Sequence, residues 1–595
     1  MKETKKFILK KIPKYEDETA WNNADTGLKK FFVEMGNSVL GTVCERHFSE
    51  SLFSEYFRTG VRVGYEKEYF SRRYEFLYAV LAECIERKSR FFDDILRAIV
   101  YFCEEPSWCL PAHLPGGVDP NRPEIDLFAA ETAAMLALAM YILGEELEKR
   151  APLAANRVRQ EMDTRVKIPY LQRTDMWWLG NGPRPVNNWS CWISANMLSV
   201  FLYGEPDAHK RHNAVQKACA TLQKFCDAQP NDGECPEGVA YWNVSAAAVF
   251  NAMELLAMME EPLNFCDAEK LCRMERYPFS MYIGCGCFVN FGDSVKRPVL
   301  DGATCLRFAR WAEDDASALM ALQTKANGSE YTYAVKGTSE LLFFRAVTAL
   351  FTCDQARVGT PIKERASFFY YTNSGLLSAR SHSGEMFFSA KGGACGGAHD
   401  HCDAGAFIVS KNNFPVVIDV GRGTYTAQYF SPHRWDLWFI RSAYHNIPVL
   451  NGQEETCCSK AVVSVCKEED DRLIYELDMS GAYPQEAMCE AFIRQIQFDR
   501  RDGRIEVYDS VIFRSDGNRA EWPLLCAVSP QVENGKIRIG NCFLQTETSQ
   551  QYRVESEKTE LSDPVQQCDW DKEIYRLRLY FERIGKNLSV KLIFQ

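Results

Sequence analysis

The sequence predicts a multidomain chain in which an all-helical part is followed by an all-β part. At 595 residues the chain is too long for one compact core, and its composition, 46% hydrophobic and 25% charged, is that of ordinary folded protein. Apolar residues recur at helical spacing from residue 25 to residue 352, and short alternating runs rich in Val, Ile, Phe and Tyr follow Asp354. This change of pattern places the junction near residues 353–366.

The helical part shows successive helical segments separated by Pro, Gly, Asp and Asn. The clearest segments are Asp126 to Leu147, Pro152 to Val166, Asn188 to Leu202, Asp207 to Ala228 and Tyr241 to Met259. We assign residues 1–355 to a helical domain and residues 356–366 to a linker.

The β part, residues 367–595, shows strands separated by turn residues. Predicted strands are Ser367 to Thr372, Leu376 to Ser381, Ala406 to Ser410, Pro415 to Val420, Ala461 to Val465, Arg504 to Phe513 and a strand region over Arg576 to Phe594. Because Asn tolerates positive φ, Asn412 and Asn413 predict a tight hairpin turn between Lys411 and Phe414.

Charge and the N-terminal sequence narrow the classes of partner. The net charge of -11 argues against nucleic acid, which requires clustered Lys and Arg, but it is compatible with a locally basic cleft that binds a polyanion. The apolar run Phe7 to Leu9 is too short for a signal-peptide core or a membrane span. We therefore expect a cytoplasmic protein without a membrane partner, or a periplasmic or secreted one if a signal was removed. The 23 cysteines predict reduced, buried thiols.

Four of the nine histidines fall between residues 399 and 445 of the β part. If residues 399–403 are extended, His399, His401 and Asp403 share one face of a strand, which is not a core pattern. These polar, titratable groups therefore predict a functional site.

A metal site is one hypothesis for this cluster. A hairpin partner would bring Asp419 beside the histidines, and a following loop could return His445. His401, Asp419 and His445 form a two-His, one-carboxylate set that suits Zn²⁺, tolerates Mn²⁺ and leaves a position for water. The alternative is a set of hydrogen-bonded histidines at the edge of a β-sandwich.

A longer motif surrounds these residues. Its parts are His399-x-His401-x-Asp403-x-Gly405, Asp419-x-Gly421-x-Gly423-x-Tyr425, Ser442-x-x-His445-Asn446 and Asn451-Gly452. The motif resembles the signature of heparinase II/III-type polysaccharide lyases and their alginate-lyase relatives. The resemblance implies an incomplete (α/α) toroid followed by an antiparallel β-sandwich, over nearly the whole chain. It also implies a zinc ion that organises the loop around His445.

The resemblance extends into the helical part at three segments. They are Glu105-Pro106-Ser107-Trp108 with Pro111-Ala112-His113, Asn187-Asn188-Trp189, and Asp232-Gly233 with Glu237-Gly238-x-x-Tyr241-Trp242. The first looks like a Trp/His segment that lines the toroid, the second like the source of an asparagine for the substrate carboxylate, and the third like the segment of the catalytic tyrosine. Asn188 is the favoured asparagine and Asn187 the reserve. His113, Trp189 and Trp242 are expected to bind sugar, with helix packing as the alternative for both tryptophans.

The implied reaction removes the proton on C5 of a uronate and expels the oxygen on C4. It needs a group that neutralises the carboxylate, together with a base and an acid within hydrogen-bond reach. Asn188 suits the first role. The resemblance assigns Tyr241 as general acid, and as base for one epimer, and His399 as base or charge stabiliser.

Arginines in the same stretch are candidates for binding the anionic groups of the substrate. Arg422, Arg434 and Arg441 carry planar guanidinium groups that match carboxylates and sulfates. One or two of them are expected to face the cleft, and the alternative is that at least one only pairs with Asp436 or another surface acid.

The expected function is that of a polysaccharide lyase acting on glycosaminoglycans such as hyaluronan, chondroitin sulfate or heparan sulfate, with alginate or oligoalginate as the alternative substrate. Two other classes stay open. One is an (α/α)-toroid glycoside hydrolase that uses Glu131, Asp232 or Glu237, and the other is a carbohydrate-binding protein without turnover. The sequence does not indicate the oligomeric state or endo versus exo action.

Overall fold

The structure, a computed structural model, describes residues 7–8, 11–45, 48–114, 116–262, 265–326, 342–352, 368–397, 399–533 and 536–595. The chain divides into two compact units. The helical unit comprises Met1–Gln229, Asn243–Glu275 and Val299–Pro361, and the β-rich unit comprises Pro230–Trp242, Arg276–Pro298 and Ile362–Gln595. Two segments that precede the predicted junction therefore group with the β-rich unit. The predicted linker, 356–366, lies outside the described residues.

The first part of the chain is helical, as the apolar periodicity predicted. Its α-helices are Glu18–Asn22, Thr26–Val39, Glu50–Thr59, Val63–Glu86, Phe92–Glu104, Leu127–Arg150, Pro152–Met162, Ile168–Gln172, Asn188–Gly204, Ala208–Ala228, Ala246–Met258, Ala268–Met281, Gly302–Ala312, Asp315–Ala326 and Leu342–Thr352. A π-helical turn, Asp163–Lys167, continues Pro152–Met162. Within the described residues, Leu127–Arg150 is the one helix long and apolar enough to cross a membrane, but 89% of its apolar window is buried, as expected for a core helix.

Two aspartates fix the starts of predicted helices. The Asp126 side chain accepts hydrogen bonds from the first free amides of Leu127–Arg150, and Asp207 does the same for Ala208–Ala228. Such caps satisfy N–H groups that no preceding carbonyl can reach. Leu127–Arg150 then packs on Asn188–Gly204, which also packs on Ala208–Ala228 and Ala246–Met258.

The predicted single helix from Tyr241 to Met259 is wrong. The chain forms two helices here, Val239–Trp242 and Ala246–Met258. Within the helical unit, Arg345 donates a hydrogen bond of 2.5 Å to the carbonyl oxygen of Asn243. A continuous helix would use that carbonyl for its own ladder, so the tertiary contact favours the break.

The β-rich unit contains two large antiparallel sheets. One sheet has the strand order Gln531–Glu533, Lys536–Ile539, Cys542–Glu547, Asn587–Phe594, Arg504–Phe513, Cys489–Asp499, Arg472–Asp478, Lys460–Glu469, Gly393–Ala394. The other has the order Tyr552–Glu560, Glu573–Ile584, Asn518–Cys526, Phe414–Val417, Phe407–Lys411, Met386–Ala390, Leu376–Arg380, Phe368–Tyr371, with Val449–Leu450 also paired to Asn518–Cys526. A short hairpin, Tyr282–Gly284 with Cys287–Phe288, and a helix, Pro564–Trp570, complete the unit.

The two sheets share one apolar core, so they form a β-sandwich. Phe388 and Val409 of one sheet and Phe498 and Val507 of the other are fully buried in the same cluster. Inward and outward residues alternate along Arg504–Phe513, as period-2 patterning predicts.

The predicted hairpin turn is confirmed. Asn412 and Asn413 have φ values of 53° and 62°, and Lys411 pairs with Phe414. Asparagine adopts this left-handed conformation at low cost, which a two-residue hairpin of this type requires.

Candidate active site

A cluster of partly exposed, reactive side chains lies in the β-rich unit. The Tyr241 hydroxyl lies 2.7 Å from the Tyr425 hydroxyl, and the Tyr241 ring centroid is 4.6 Å from that of His399. The predicted acid and the predicted base are therefore neighbours. Tyr425 belongs to the signature motif, but the motif alone does not indicate a role for it.

Asp293 is the buried carboxylate behind this cluster, with 1% of its surface exposed. One carboxylate oxygen accepts from His399 Nδ1 at 2.9 Å, and the other accepts from His401 Nε2 at 3.0 Å and from the Tyr429 hydroxyl. Asp293 thus orients the predicted base and one predicted metal ligand together. No sequence signal identifies Asp293, because it lies 106 residues from His399 in an irregular segment without a motif.

Close backbone contacts hold Asp293 in place. Gly292 has a φ of +62°, and a Cβ atom there would lie 2.8 Å from the His399 carbonyl oxygen. The Asp293 amide donates to that same oxygen at 3.0 Å. The Asn290 side chain donates to the Asp419 carbonyl at 2.9 Å. The segment that carries Asp293 is therefore hydrogen-bonded both to the His399 part and to the Asp419 part of the motif.

Burial and charge set the protonation of these groups. Burial alone would raise the pKa of Asp293, but the hydrogen bonds from His399 and His401 outweigh it and hold that pKa below its usual range. Burial lowers the pKa of His399, yet its hydrogen bond to Asp293 and the charge of Glu237 make the net shift upward. Burial raises the pKa of Tyr241. At neutral pH Tyr241 is therefore a protonated donor, and it lies beside an imidazole that is hydrogen-bonded to a buried carboxylate.

Glu237 and Arg422 are two further partly exposed residues of this cluster. Glu237 lies 3.4 Å from His399 Nε2, the ring nitrogen that does not face Asp293. The Arg422 guanidinium lies over the Tyr425 ring, 4.6 Å from its centroid. Burial would lower the pKa of Arg422, but the nearby Tyr425 and Tyr241 oxygens raise it. Arg422 is thus a cation beside the predicted acid.

The other two predicted arginines have different surroundings. Arg434 is buried, donates to the Asp400 carbonyl at 2.9 Å and lies 3.7 Å from Asp293. It therefore belongs to the buried residues around Asp293. Arg441 is half exposed and pairs with Glu454, which is the surface pairing that the sequence allowed for one arginine of the set.

Residues 399–403 form a loop, so the expected strand at this position is wrong. The cause is tertiary. His399 and His401 both contact Asp293, whereas Asp403 accepts from Lys391 Nζ at 2.7 Å. Burial would raise the pKa of Asp403, but the charge of Lys391 outweighs it and lowers that pKa.

The predicted metal ligands are fully buried and lie close together. His445 Nδ1 is 2.6 Å from Asp419 Oδ2, and the ring centroids of His401 and His445 are 5.2 Å apart. In the described part of the chain, His401 Nδ1 and His445 Nε2 are buried without a hydrogen-bond partner. Two buried imidazole nitrogens that lack a partner fit a divalent cation, and an aspartate bonded to the far side of a ligand histidine is typical of zinc sites. Across the described residues, however, no group of three or more His, Cys, Asp and Glu side chains has metal-binding spacing as it stands.

The predicted residues of the helical unit surround the start of Asn188–Gly204. Asn188 is buried, and the Asn187 side chain caps the helix by accepting from the Trp189 amide at 3.1 Å. The Trp189 and His113 ring centroids lie 4.8 Å apart, and His113 Nδ1 lies 2.7 Å from Asp126. Asn187 is committed to the helix start, which leaves Asn188 as the stronger candidate.

Other candidate residues have structural partners. Trp242 is 1% exposed, which favours its packing role over sugar stacking. Among the carboxylates of the hydrolase alternative, Glu131 accepts from the Trp192 indole at 3.0 Å, and Asp232 accepts from both the amide and the hydroxyl of Thr372. Glu237 faces His399 instead.

Comparisons with known proteins agree with the motif. Residues 363–586 match the family model described as Heparinase II/III-like, C-terminal. No curated protein matches the sequence significantly. Solved structures with a similar fold include the three that follow. The heparinase III BT4657 gene product has a TM-score of 0.62 at 10% identity, covering 95% of this chain and 84% of that one.

The other two are a heparinase III, with a TM-score of 0.60, 12% identity and coverage of 97% and 93%, and a mutant of the heparan sulfate lyase HepC from Pedobacter heparinus, with a TM-score of 0.57, 13% identity and coverage of 95% and 87%. These likenesses confirm the predicted fold class, an incomplete (α/α) toroid followed by an antiparallel β-sandwich. The resemblance to the heparinase II/III-type polysaccharide lyases is thereby confirmed, through the family model over the C-terminal part and through the fold over nearly the whole chain.

Proposed function

We propose that the chain is a polysaccharide lyase that cleaves uronate-containing acidic polysaccharides by β-elimination, with glycosaminoglycans as its substrates. The observation that carries this proposal is the Tyr241–His399 neighbour pair, with ring centroids 4.6 Å apart and His399 bonded to the buried Asp293. A protonated phenol beside a carboxylate-oriented imidazole supplies an acid and a base for one substrate. Heparan sulfate is the first polymer to test, because a heparan sulfate lyase has a similar fold.

In the proposed reaction, the His399 Nε2 atom takes the proton from C5 of the uronate. The C5–H electron pair forms the C4=C5 double bond, the C4–O4 bond breaks, and Tyr241 gives its hydroxyl proton to the leaving oxygen. Asp293 holds the Nδ1 proton of His399 and stabilises the imidazolium that forms, while the charge of Glu237, 3.4 Å away, favours the same state.

For the epimer whose C5 proton and leaving oxygen lie on one face of the ring, Tyr241 performs both transfers. Its phenolate then needs stabilisation, because burial raises the pKa of Tyr241. The Tyr425 hydroxyl, 2.7 Å away, and the nearby Arg422 guanidinium supply it. Asn188 remains the proposed partner of the substrate carboxylate.

We also propose that His401 and His445 bind a divalent metal, preferentially Zn²⁺ with Mn²⁺ tolerated, and that Asp419, the third residue of the predicted set, orients His445 from the far side of its ring. The support is the pair of buried, unpartnered imidazole nitrogens among the described residues and the hydrogen bond between His445 and Asp419. When bound, the metal supplies a fixed positive charge that orders the loops around His401 and His445.

The test is a panel of heparan sulfate, chondroitin sulfates, hyaluronan and alginate, followed by the ultraviolet absorbance of the unsaturated uronate and by a reducing-end assay. Absorbance that rises with a glycosaminoglycan supports the proposal, and a rise with alginate alone moves the substrate to the alternative. New reducing ends without absorbance would contradict elimination and favour hydrolysis.

A further inference from the structure

An arginine–tryptophan stack in the helical unit has no role in the chemistry described above. The Arg184 guanidinium carbon lies 3.5 Å from the centroid of the Trp177 ring. Trp177 is partly exposed, and its ring centroid is 5.2 Å from that of Trp189. With the Trp189–His113 contact of 4.8 Å, these side chains form a continuous row that we call the aromatic row, defined by Arg184, Trp177, Trp189 and His113.

The segment that carries Arg184 is fixed by its own contacts. Lys224 Nζ donates to the Leu179 carbonyl at 3.0 Å and to the Asn181 side chain at 2.6 Å. Gly180 has a φ of +65°, and a Cβ atom there would lie 2.6 Å from Val186, so the loop folds closely back on itself. Pro183 and Pro185 flank Arg184 and restrict its backbone. The backbone that carries Arg184 is therefore restricted before any ligand binds.

The charge of Arg184 is available to a ligand. Arg184 is exposed, and in the part of the chain that the structure describes no carboxylate pairs with it. The neighbouring arginines differ, since Arg173 pairs with Glu124 and Asp175, and Arg122 also pairs with Asp175. A guanidinium stacked on an indole keeps its N–H donors in its own plane, where they match the two oxygens of a carboxylate or sulfate.

We propose that the aromatic row is a binding subsite for an acidic saccharide, in which Arg184 binds the carboxylate or sulfate of one sugar and Trp177 orients the guanidinium. The proposal rests on the proposed function for its ligand class, because a uronate polymer carries an anion on every disaccharide. Trp189 and His113 were expected to contact sugar, and the structure extends this surface to a cation that no motif identified.

The test measures the affinity of size-defined tetrasaccharides by calorimetry in the full-length chain carrying Tyr241→Phe, which prevents turnover by the proposed acid. The probes are an unsulfated heparosan tetrasaccharide, a sulfated heparan tetrasaccharide and neutral cellotetraose. Arg184→Ala should weaken binding of an acidic probe by ~10-fold or more, as expected for loss of a charged hydrogen bond, and should flatten the salt dependence of the affinity. Loss with both acidic probes identifies the carboxylate as ligand, and loss with the sulfated probe alone identifies the sulfate.

Three further variants distinguish binding by the stacked, planar guanidinium from binding by positive charge alone. Arg184→Lys keeps the charge but loses the planar fork, so it should behave more like Arg184→Ala than like the parent. Trp177→Phe keeps an aromatic face and should stay within ~3-fold of the parent, whereas Trp177→Ala should weaken binding by ~10-fold. Arg159→Ala, which removes an exposed arginine paired with Glu148, is the matched control.

The subsite is contradicted if Arg184→Ala and Trp177→Ala bind both acidic probes as tightly as the parent, with thermal melts that confirm folding. It is also contradicted if the parent binds cellotetraose as well as the acidic probes. The proposed reaction fails separately, when the unmodified protein produces no unsaturated uronate from any polymer. The effect of Arg184 on affinity can be measured whether or not the protein produces unsaturated uronate.

Discussion

The hydroxyl oxygens of Tyr241 and Tyr425 lie 2.7 Å apart. Burial and the negative charge of Asp293 raise the pKa of both tyrosines, and the positive charge of Arg422 lowers it. Tyr241→Phe removes the proposed acid and should lower kcat by ~10³-fold or more. Tyr425→Phe removes one hydrogen bond to that acid, so kcat should fall by ~10-fold with KM little changed. Initial rates of unsaturated uronate formation measure both, and equal loss in the two variants would contradict this division of roles.

Asp293→Asn should lower kcat by ~100-fold, because the imidazolium of His399 would lose the charge that stabilises it. KM should change by less than ~3-fold if Asp293 acts through His399 and does not touch the substrate. Asp436→Asn is the matched control, since Asp436 pairs with His433 and both side chains are largely exposed, at 70% and 79%. An unchanged kcat in Asp293→Asn, measured on folded protein, would rule out the proposed support role.

Glu234 should make the stability of the β-rich unit depend on pH. Burial raises its pKa to about 7, while Ser374 bonds to it and partly offsets the shift. Because the folded pKa is above the unfolded one, the stabilising contribution is fully present below pH ~4.5 and is lost as pH rises through ~7, up to ~3 kcal/mol. Glu234→Gln mimics the protonated acid, so the difference in free energy of unfolding between variant and parent should grow in the variant's favour between pH 5 and pH 8. Denaturant melts at several pH values measure it, and a difference that stays constant with pH would contradict the assignment.

Metal content provides a further check. The protein as purified, or after incubation with Zn²⁺, should contain about one metal ion per chain by inductively coupled plasma mass spectrometry. His401→Ala and His445→Ala should lose it, because each variant removes one imidazole ligand, and a chelator should lower the Tm of the parent but not that of these two variants. His433→Ala, which alters an exposed histidine of the same stretch, should keep the metal. Equal metal content in all variants would place any metal elsewhere.

The two tryptophans that flank the helical motifs should respond differently to removal. Trp242 is 1% exposed, so Trp242→Ala should cost about 3–5 kcal/mol of stability through the cavity it leaves. Trp189 is partly exposed beside His113, so Trp189→Ala should weaken oligosaccharide binding with a smaller loss of stability. Thermal melts and calorimetry on both variants separate the two effects, and the reverse pattern would contradict the burial argument.

Elements with a local cause could be predicted from the sequence. The Asn412–Asn413 hairpin follows from residues that adopt positive φ, and the helix starts at Asp126 and Asp207 follow from capping side chains. The break after Trp242 could not be predicted, because it depends on a hydrogen bond from Arg345, which is remote in sequence.

The same distinction applies to the site. Tyr241 and His399 were found through motif resemblance, and the structure brings them together. Asp293 has no motif, and only the fold of an irregular segment carries it to His399 and His401. Arg184 could not be identified from the sequence for a related reason, because its contact with the Trp177 ring is seen only in the fold.

The assignment of Pro230–Trp242 and Arg276–Pro298 to the β-rich unit limits how this chain can be recombined. A crossover near residue 360, where the composition changes, would exchange His399 with its histidine motif but leave Tyr241 and Asp293 behind. The fragment that matches the family model, 363–586, would for the same reason lack both residues when expressed alone. A working chimera must therefore inherit three separate stretches of sequence from one parent.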